Sequence, residues 1–452
     1  MTVLLQIFAP VLLNLPFTLA QAWETVTSAR LAARLEAIRA AGEPTTLADL
    51  AKTYPEPPPE KNAEPLYTAA FRILDDPEIQ QWPANTLPIQ GTRELPKADE
   101  DFPPDLLANV RDYLGECRAA LAFLHNAAAN EEFWFDLHLD LGAGKAADVY
   151  LPRLAKMRNG ARHLALEAVE RAESGRPDEA AEALWACLRL GHAVRRQPLL
   201  ISALLRMTFD AIAISQVEWL ASRTAFPPRS LEKLQTALRD EADPDMARRA
   251  LLAERCVDIS LFLKTFPKGE DWDFAMFGME HTQLLKLVPP TYFKAELVQY
   301  LDVTNECLAA LRKPYPQNLV EGARLGSDAA GKVPAFFPLS RMILPQVLHT
   351  CTQAQRHMAR VETARVALAA LRFKAERGRL PNTLEDLVPA FLDAVPLGPF
   401  DAKALRYRKD AAGFVVYAVG SDGKDHGGLT ERGQDGQIPE IGFRVRWPKG
   451  RF

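Results

Sequence analysis

Residues 364–428 read ARVALAALRFKAERGRLPNTLEDLVPAFLDAVPLGPFDAKALRYRKDAAGFVVYAVGSDGKDHGG, and what this stretch can form decides the fold. It continues a periodic pattern that begins near Leu339. Leu344, Leu348, Cys351, Ala354, Met358, Val361, Ala364, Leu368, Leu371 and Ala375 recur at three-and-four spacing, while Arg356, Arg360, Glu362, Arg365 and Arg372 fall elsewhere on the wheel. The spacing predicts one long helix with a buried face, reaching on the order of 55 Å if unbroken. Pro345 is expected to kink it near its start.

The end of the helix is written in its residues. Gly378 can take the left-handed conformation past the last turn, Arg377 and Arg379 suit the negative end of the dipole, and Pro381 forbids continuation. Asn382 or Thr383 then offers a cap, with Glu385 or Asp386 three residues on, for a short helix over 384–388. Leu405 to Arg408 and Phe414 to Val419, separated by Lys409 to Gly413, predict two antiparallel strands. The loop that follows carries Asp422, Asp425, Glu431 and Asp435 among six glycines between Gly420 and Gly436. Carboxylates on flexible backbone are what Ca2+ needs, although the EF-hand order is absent. A solvated acidic turn is the other reading. His426 is expected to be exposed, since calcium prefers oxygen.

The Gly378 to Pro381 turn, the segment Pro396-Leu397-Gly398-Pro399 and Tyr417-Ala418-Val419-Gly420-Ser421-Asp422-Gly423-Lys424 together resemble the globular part of the type II secretion major pseudopilin. The resemblance covers roughly the last quarter of the chain. It implies a long helix, a strand pair and a calcium-holding loop, here at Asp422, Asp425, Glu431 and Asp435. Gly398 stands where the family usually has Asp, and a large helical region replaces the family's methylated membrane helix directly before this unit. Assembly into a pilus is therefore not implied. The whole chain also looks like large bacterial envelope proteins with a hydrophobic N-terminus, a helical middle and this kind of cap.

Over 452 residues, 48% hydrophobic and 25% charged, the composition is that of a globular chain of two or more domains. The net charge of −4 gives no footprint for nucleic acid. Cysteines 117, 187, 256, 307 and 351 are too scattered for zinc or a disulfide framework and suit the core. Val3 to Ala20 is an interrupted apolar run ending near Ala20-Gln21-Ala22, which fits a signal segment or an anchor, with a buried helix as the other reading.

Helices are expected over 24–41, 63–74, 106–128, 161–173, 179–195, 199–220, 231–240, 246–264 and 292–311, with Ser230 as an N-cap. The pair joined by Ser174-Gly175-Arg176-Pro177 reads as a helical hairpin, and Pro55 to Pro59 as an extended spacer. In 199–220, Arg206, Asp210, Gln216 and Glu218 favour a central buried helix over a membrane span.

The fold class expected is mainly α, a helical bundle or hairpin body with a small C-terminal α+β unit that the resemblance makes pseudopilin-like. The divisions are 1–22, a hydrophobic segment; 23–104, helix and proline-rich connector; 105–338, the helical body; and 339–452, the long helix, meander and acidic loop. Enzyme-like chemistry has one constellation. Glu131 to Leu141 alternates as a strand would, placing Asp136, His138 and Asp140 on one face for a metal or proton relay. Glu270, Asp271 and Asp273 beside Trp272, Phe274 and Phe277 suit a sugar site or a packed loop equally. No phosphate loop, nucleophile elbow or HExxH motif occurs. The leading expectation is a non-enzymatic protein of the bacterial envelope, periplasmic or anchored in the inner membrane, that binds protein partners; a cytoplasmic hydrolase using these carboxylates is the alternative.

Overall fold

The computed structural model describes residues 17–98, 100–130, 132–139, 142–268, 282–430 and 440–447. The fold is mostly helical, with one small three-stranded antiparallel sheet near the C-terminus. Helix α1 (Phe17–Ala40) is followed by Gly42, whose φ of +72° is the left-handed conformation that turns the chain out of the helix. Thr46 then caps the short α2 (Leu47–Lys52) by accepting from the Asp49 amide. After the proline-rich connector come α3 (Glu64–Leu74), α4 (Pro104–Glu116) and α5 (Arg118–Ala128). The single helix expected over 106–128 is thus two, parted at Cys117, whose φ/ψ of −82°/0° closes one helix and opens the next.

The alternating segment after α5 forms no strand ladder. Phe133, Phe135, Leu137 and Leu139 are buried as the alternation demands, but among the described residues the one β-pairing is an isolated bridge between Asn62 and Glu132. Helices α6 (Ala143–Glu173) and α7 (Pro177–Ala193) pack as the expected hairpin, turning at Gly175 with φ +75°. Ala180, Ala183 and Ala186 are fully buried in it, letting the helices approach closely. The body continues through α8 (Leu200–Ala221), α9 (Pro228–Glu241) and α10 (Met246–Ser260). Ser230 does not cap α9; it lies inside the first turn and its hydroxyl donates to Asp178 at 2.5 Å. A π-helical turn, Leu261–Thr265, follows α10 in place of the straight helix expected to Lys264. Residues 269–281, with the aromatic and acidic group around Trp272, lie outside the described residues. Helices α11 (Pro290–Ala310) and α12 (Gln317–Ser327) complete the body. All five cysteines are buried and free.

The long helix α13 (Pro338–Arg377) runs 40 residues and stops at Gly378, which has φ +73° and donates to the Lys374 carbonyl at 2.8 Å. More than one face is buried. From His357 to Ala370 every residue except Arg360 and Arg365 is buried, because α8, α9 and α12 pack on the helix together with the sheet. A 3₁₀ turn, Leu384–Leu387, replaces the expected short helix, with the Asn382 amide donating to Asp386 at 2.7 Å. Strand β1 (Arg406–Asp410) pairs with β2 (Gly413–Val419), and β2 with β3 (Glu440–Arg446), which the sequence had not placed.

The exposed edge of β3 is covered by the body. The Arg444 amide donates to Glu218 at 2.7 Å and the Arg446 amide to Ser222 at 3.1 Å, so a helix takes the hydrogen bonds a fourth strand would take. Gln235 donates to the Phe391 carbonyl at 2.7 Å, and Arg372 pairs with Glu232 at 3.0 Å, which fixes the cap along α9 as well.

Gly413 is where this sheet tolerates no side chain: at φ +154°, an added Cβ would sit 1.9 Å from the Val445 carbonyl oxygen. Gly413→Ala is expected to cost at least about 2 kcal/mol, because backbone rather than a flexible side chain must give way. Urea unfolding of the two proteins measures it, and equal midpoints would refute it.

Candidate functional site

The carboxylates singled out from the sequence do not converge. Asp136 and His138 sit on the surface segment before α6, paired with each other at 3.0 Å and with side chains 61% and 42% exposed. His138 adopts φ +49°, held by its amide donating to Asp136 at 2.8 Å. This is a local turn, and the strand face that would have aligned three ligands is not formed. Asp140 lies outside the described residues.

In the acidic loop, Asp422 and Asp425 are described and Glu431 and Asp435 lie outside the described residues. Asp425 accepts from the Arg406 guanidinium at 2.8 Å, the Gly427 amide at 2.9 Å and the Tyr417 hydroxyl at 3.2 Å. Asp422 accepts from the Lys424 amide at 3.1 Å and contacts the His426 ring at 2.7 Å. The His426 hydrogen bond holds the Asp422 carboxyl below its usual range, and the Gly427 amide does the same for Asp425. Both are ionised and occupied by the chain's own donors. Among the described residues no group of three or more His, Cys, Asp or Glu is arranged to hold a metal. Glu440, on β3, is fully buried, accepts from the His426 amide at 2.7 Å through Oε1, and leaves Oε2 without a hydrogen bond among the described residues. Sequence reading missed Glu440 because it lies in a strand that had no clear pattern.

The densest polar constellation is elsewhere, in the core. Arg206 of α8, nearly inaccessible, spans Glu241 at 2.7 Å and Asp243 at 2.9 Å. His192, at the end of α7, contacts the other Glu241 oxygen at 2.9 Å. One turn along α8, Asp210 faces His357 of α13 at 3.5 Å, and neither Asp210 oxygen has a hydrogen bond. Gly191 makes room for it, since a Cβ there would lie 2.5 Å from Asp210 Oδ1.

The two acids shift in opposite directions. Burial works against ionised Glu241, but Arg206 and His192 outweigh it and hold its carboxyl below the usual range. Burial and the Glu241 charge push Asp210 well above that range. Burial, with the Arg206 cation beside it, pulls His357 from 6.5 down to about 3, leaving that ring neutral. The arrangement is an ion pair next to a buried carboxyl–imidazole pair. A charged residue every turn in an otherwise apolar helix, Arg206 then Asp210, is the sequence signal that could have located it; the partners on three other elements left no trace. Among the described residues α8 is also the one helix long and apolar enough to cross a membrane, and 44% of its most apolar window is buried in the protein.

Comparison with family models, with curated proteins and with solved structures finds no match.

The core network makes two predictions. Arg206→Leu takes the guanidinium away from buried Glu241, while Asp243 keeps Arg249, and is expected to cost about 3–5 kcal/mol in equilibrium unfolding. His357 binds its proton more weakly folded than unfolded, so its contribution is whole above about pH 6.5 and falls as the pH drops, by about 2 kcal/mol at about pH 5. His357→Gln should therefore lose about 2 kcal/mol less than the native chain between about pH 7 and pH 5. An identical pH dependence in both proteins would contradict the buried neutral imidazole.

Proposed function

We propose that the chain is a non-enzymatic, envelope-associated interaction protein of bacteria, whose C-terminal α+β unit is pseudopilin-like and holds Ca2+ in its acidic loop. The observation that carries the reading is the order of parts after Pro338: one long helix, a left-handed stop at Gly378, a 3₁₀ turn, and an antiparallel meander with the Asp422 to Asp425 loop between its second and third strands. That order is what the resemblance implies. In support of the ion, Glu440 offers beside the loop a buried carboxylate oxygen that has no partner among the described residues. Calcium would take Asp425 from Arg406 and Asp422 from His426, with Glu431 and Asp435 as the further carboxylates. The ion would supply charge neutralisation for the loop and no chemistry.

A helical body that takes up the sheet edge suits a scaffold, and the surfaces left on that body are where protein partners would dock. The apolar run at 3–20 would place it at the membrane or carry it across.

Calcium at a hundredfold its Kd is expected to stabilise the full chain by about 2.7 kcal/mol, read as a rise in Tm. Asp422→Asn with Asp425→Asn should abolish the rise. An unchanged Tm in the native chain sinks the ion, and recovery of the full chain in the cytosolic fraction of its own cells sinks the location.

A further inference from the structure

An open cavity of about 480 Å³ lies between α2, the residues that follow α7, the first turns of α8, and α10. That is the size of a small-molecule site. Its lining combines apolar Leu50, Leu199, Met246 and Leu252 with the guanidinium-bearing Arg195, Arg196, Arg206 and Arg249. Three of these guanidinium groups are matched by carboxylates. Arg206 holds Glu241 and Asp243, Arg249 shares Asp243, and Arg196 pairs with Glu132. Arg195 has neither a hydrogen bond nor an ion pair from its side chain among the described residues.

The imbalance is one positive charge: three carboxylates face four guanidinium groups. Nearby Arg189 adds to it, because its guanidinium is held by the Ala128 and Asn130 carbonyls and not by an acid. Arg195 is only partly exposed, and burial, then the Arg189 charge, lowers its affinity for its proton. Asp243 is the one carboxylate in the wall and is already spanned by two arginines. The same lining holds Gln197, buried, whose Nε2 has no acceptor among the described residues. A desolvated cation and a spare amide donor beside an aliphatic surface lack one thing, an anion with an apolar body.

We propose that this cavity binds a small aliphatic carboxylic acid, its carboxylate on Arg195 and its chain against Leu199, Met246 and Leu252. The inference is independent of the calcium loop and of the envelope reading.

Octanoate is the probe, titrated calorimetrically into the full chain, with octanol and acetate as the neutral and the tail-less controls. Octanoate is expected to bind at millimolar concentration or tighter, and both controls more weakly. Arg195→Gln should weaken octanoate about 10-fold to 100-fold, the effect of removing a charge-assisted hydrogen bond. Its unliganded Tm should not fall, since the lost charge had no partner. Arg118→Gln, in a separate surface hollow beside α5, should leave binding unchanged. Octanoate bound equally by Arg195→Gln and the native chain, octanol or acetate bound as well as octanoate, or no binding at all would each overturn the proposal.

Discussion

Helix α13 is buried on two sides at once, and the rest of the fold follows from that constraint. A helix of its length owes its stability to packing more than to propensity. Here Ala364, Ala367, Ala369 and Ala370 are fully buried, so α9 and the sheet can both approach its axis. The inner face of the sheet, with Phe414, Val416, Phe443 and Val445, belongs to the same continuous core as the helical body. The helix therefore serves as the last element of the body and the first of the cap. Glu218 and Ser222 complete the union by satisfying β3 from outside.

A core this apolar makes its buried charges expensive, and the way they are met explains their placement. Arg206 gives its fork to Glu241, the last residue of α9, and to Asp243 just past it, so one side chain fixes α8 against that junction. An ion pair of this kind contributes little net stability compared with an apolar replacement, but leaving one member alone is costly. At Asp210 burial and the Glu241 charge favour the protonated form, and His357 escapes the cost by staying neutral. Glu218 follows the same rule: burial raises its carboxyl to about 7, where the Arg444 amide meets it.

Much of this was legible in the sequence wherever the signal is local. Gly42, Gly175 and Gly378 stop or turn their helices because only the left-handed region fits there, and that depends on no partner. The α6–α7 hairpin and the first two strands were readable for the same reason. What failed depended on distant contacts. Glu131 to Leu141 has a strand's alternation, but among the described residues its one β-bridge is to Asn62, so the alternation sorts burial without building a ladder. Ser230 looks like a cap until Asp178, on another helix, takes its hydroxyl. Strand β3 follows a glycine-rich stretch and exists because β2 and α8 lie on either side of it. The core network assembles from α7, α8, α13 and the loop after α9, so no window of sequence contains it.

The core and the cavity above it share side chains, and this bears on how rigid the cavity is. Arg206 and Asp243 belong to both the buried network and the cavity wall. Their positions are set by packing and paired charge, so that part of the wall is pre-formed. Arg195 differs. It follows the C-terminus of α7, where the negative end of the helix dipole offsets part of the cost of holding a cation away from water. That offset lets an unpaired guanidinium persist in a half-buried place without pulling the structure apart. The cavity thus combines a fixed floor with one cation kept ready by a helix end, an arrangement in which an anion's charge adds favourable energy and demands no rearrangement of the core.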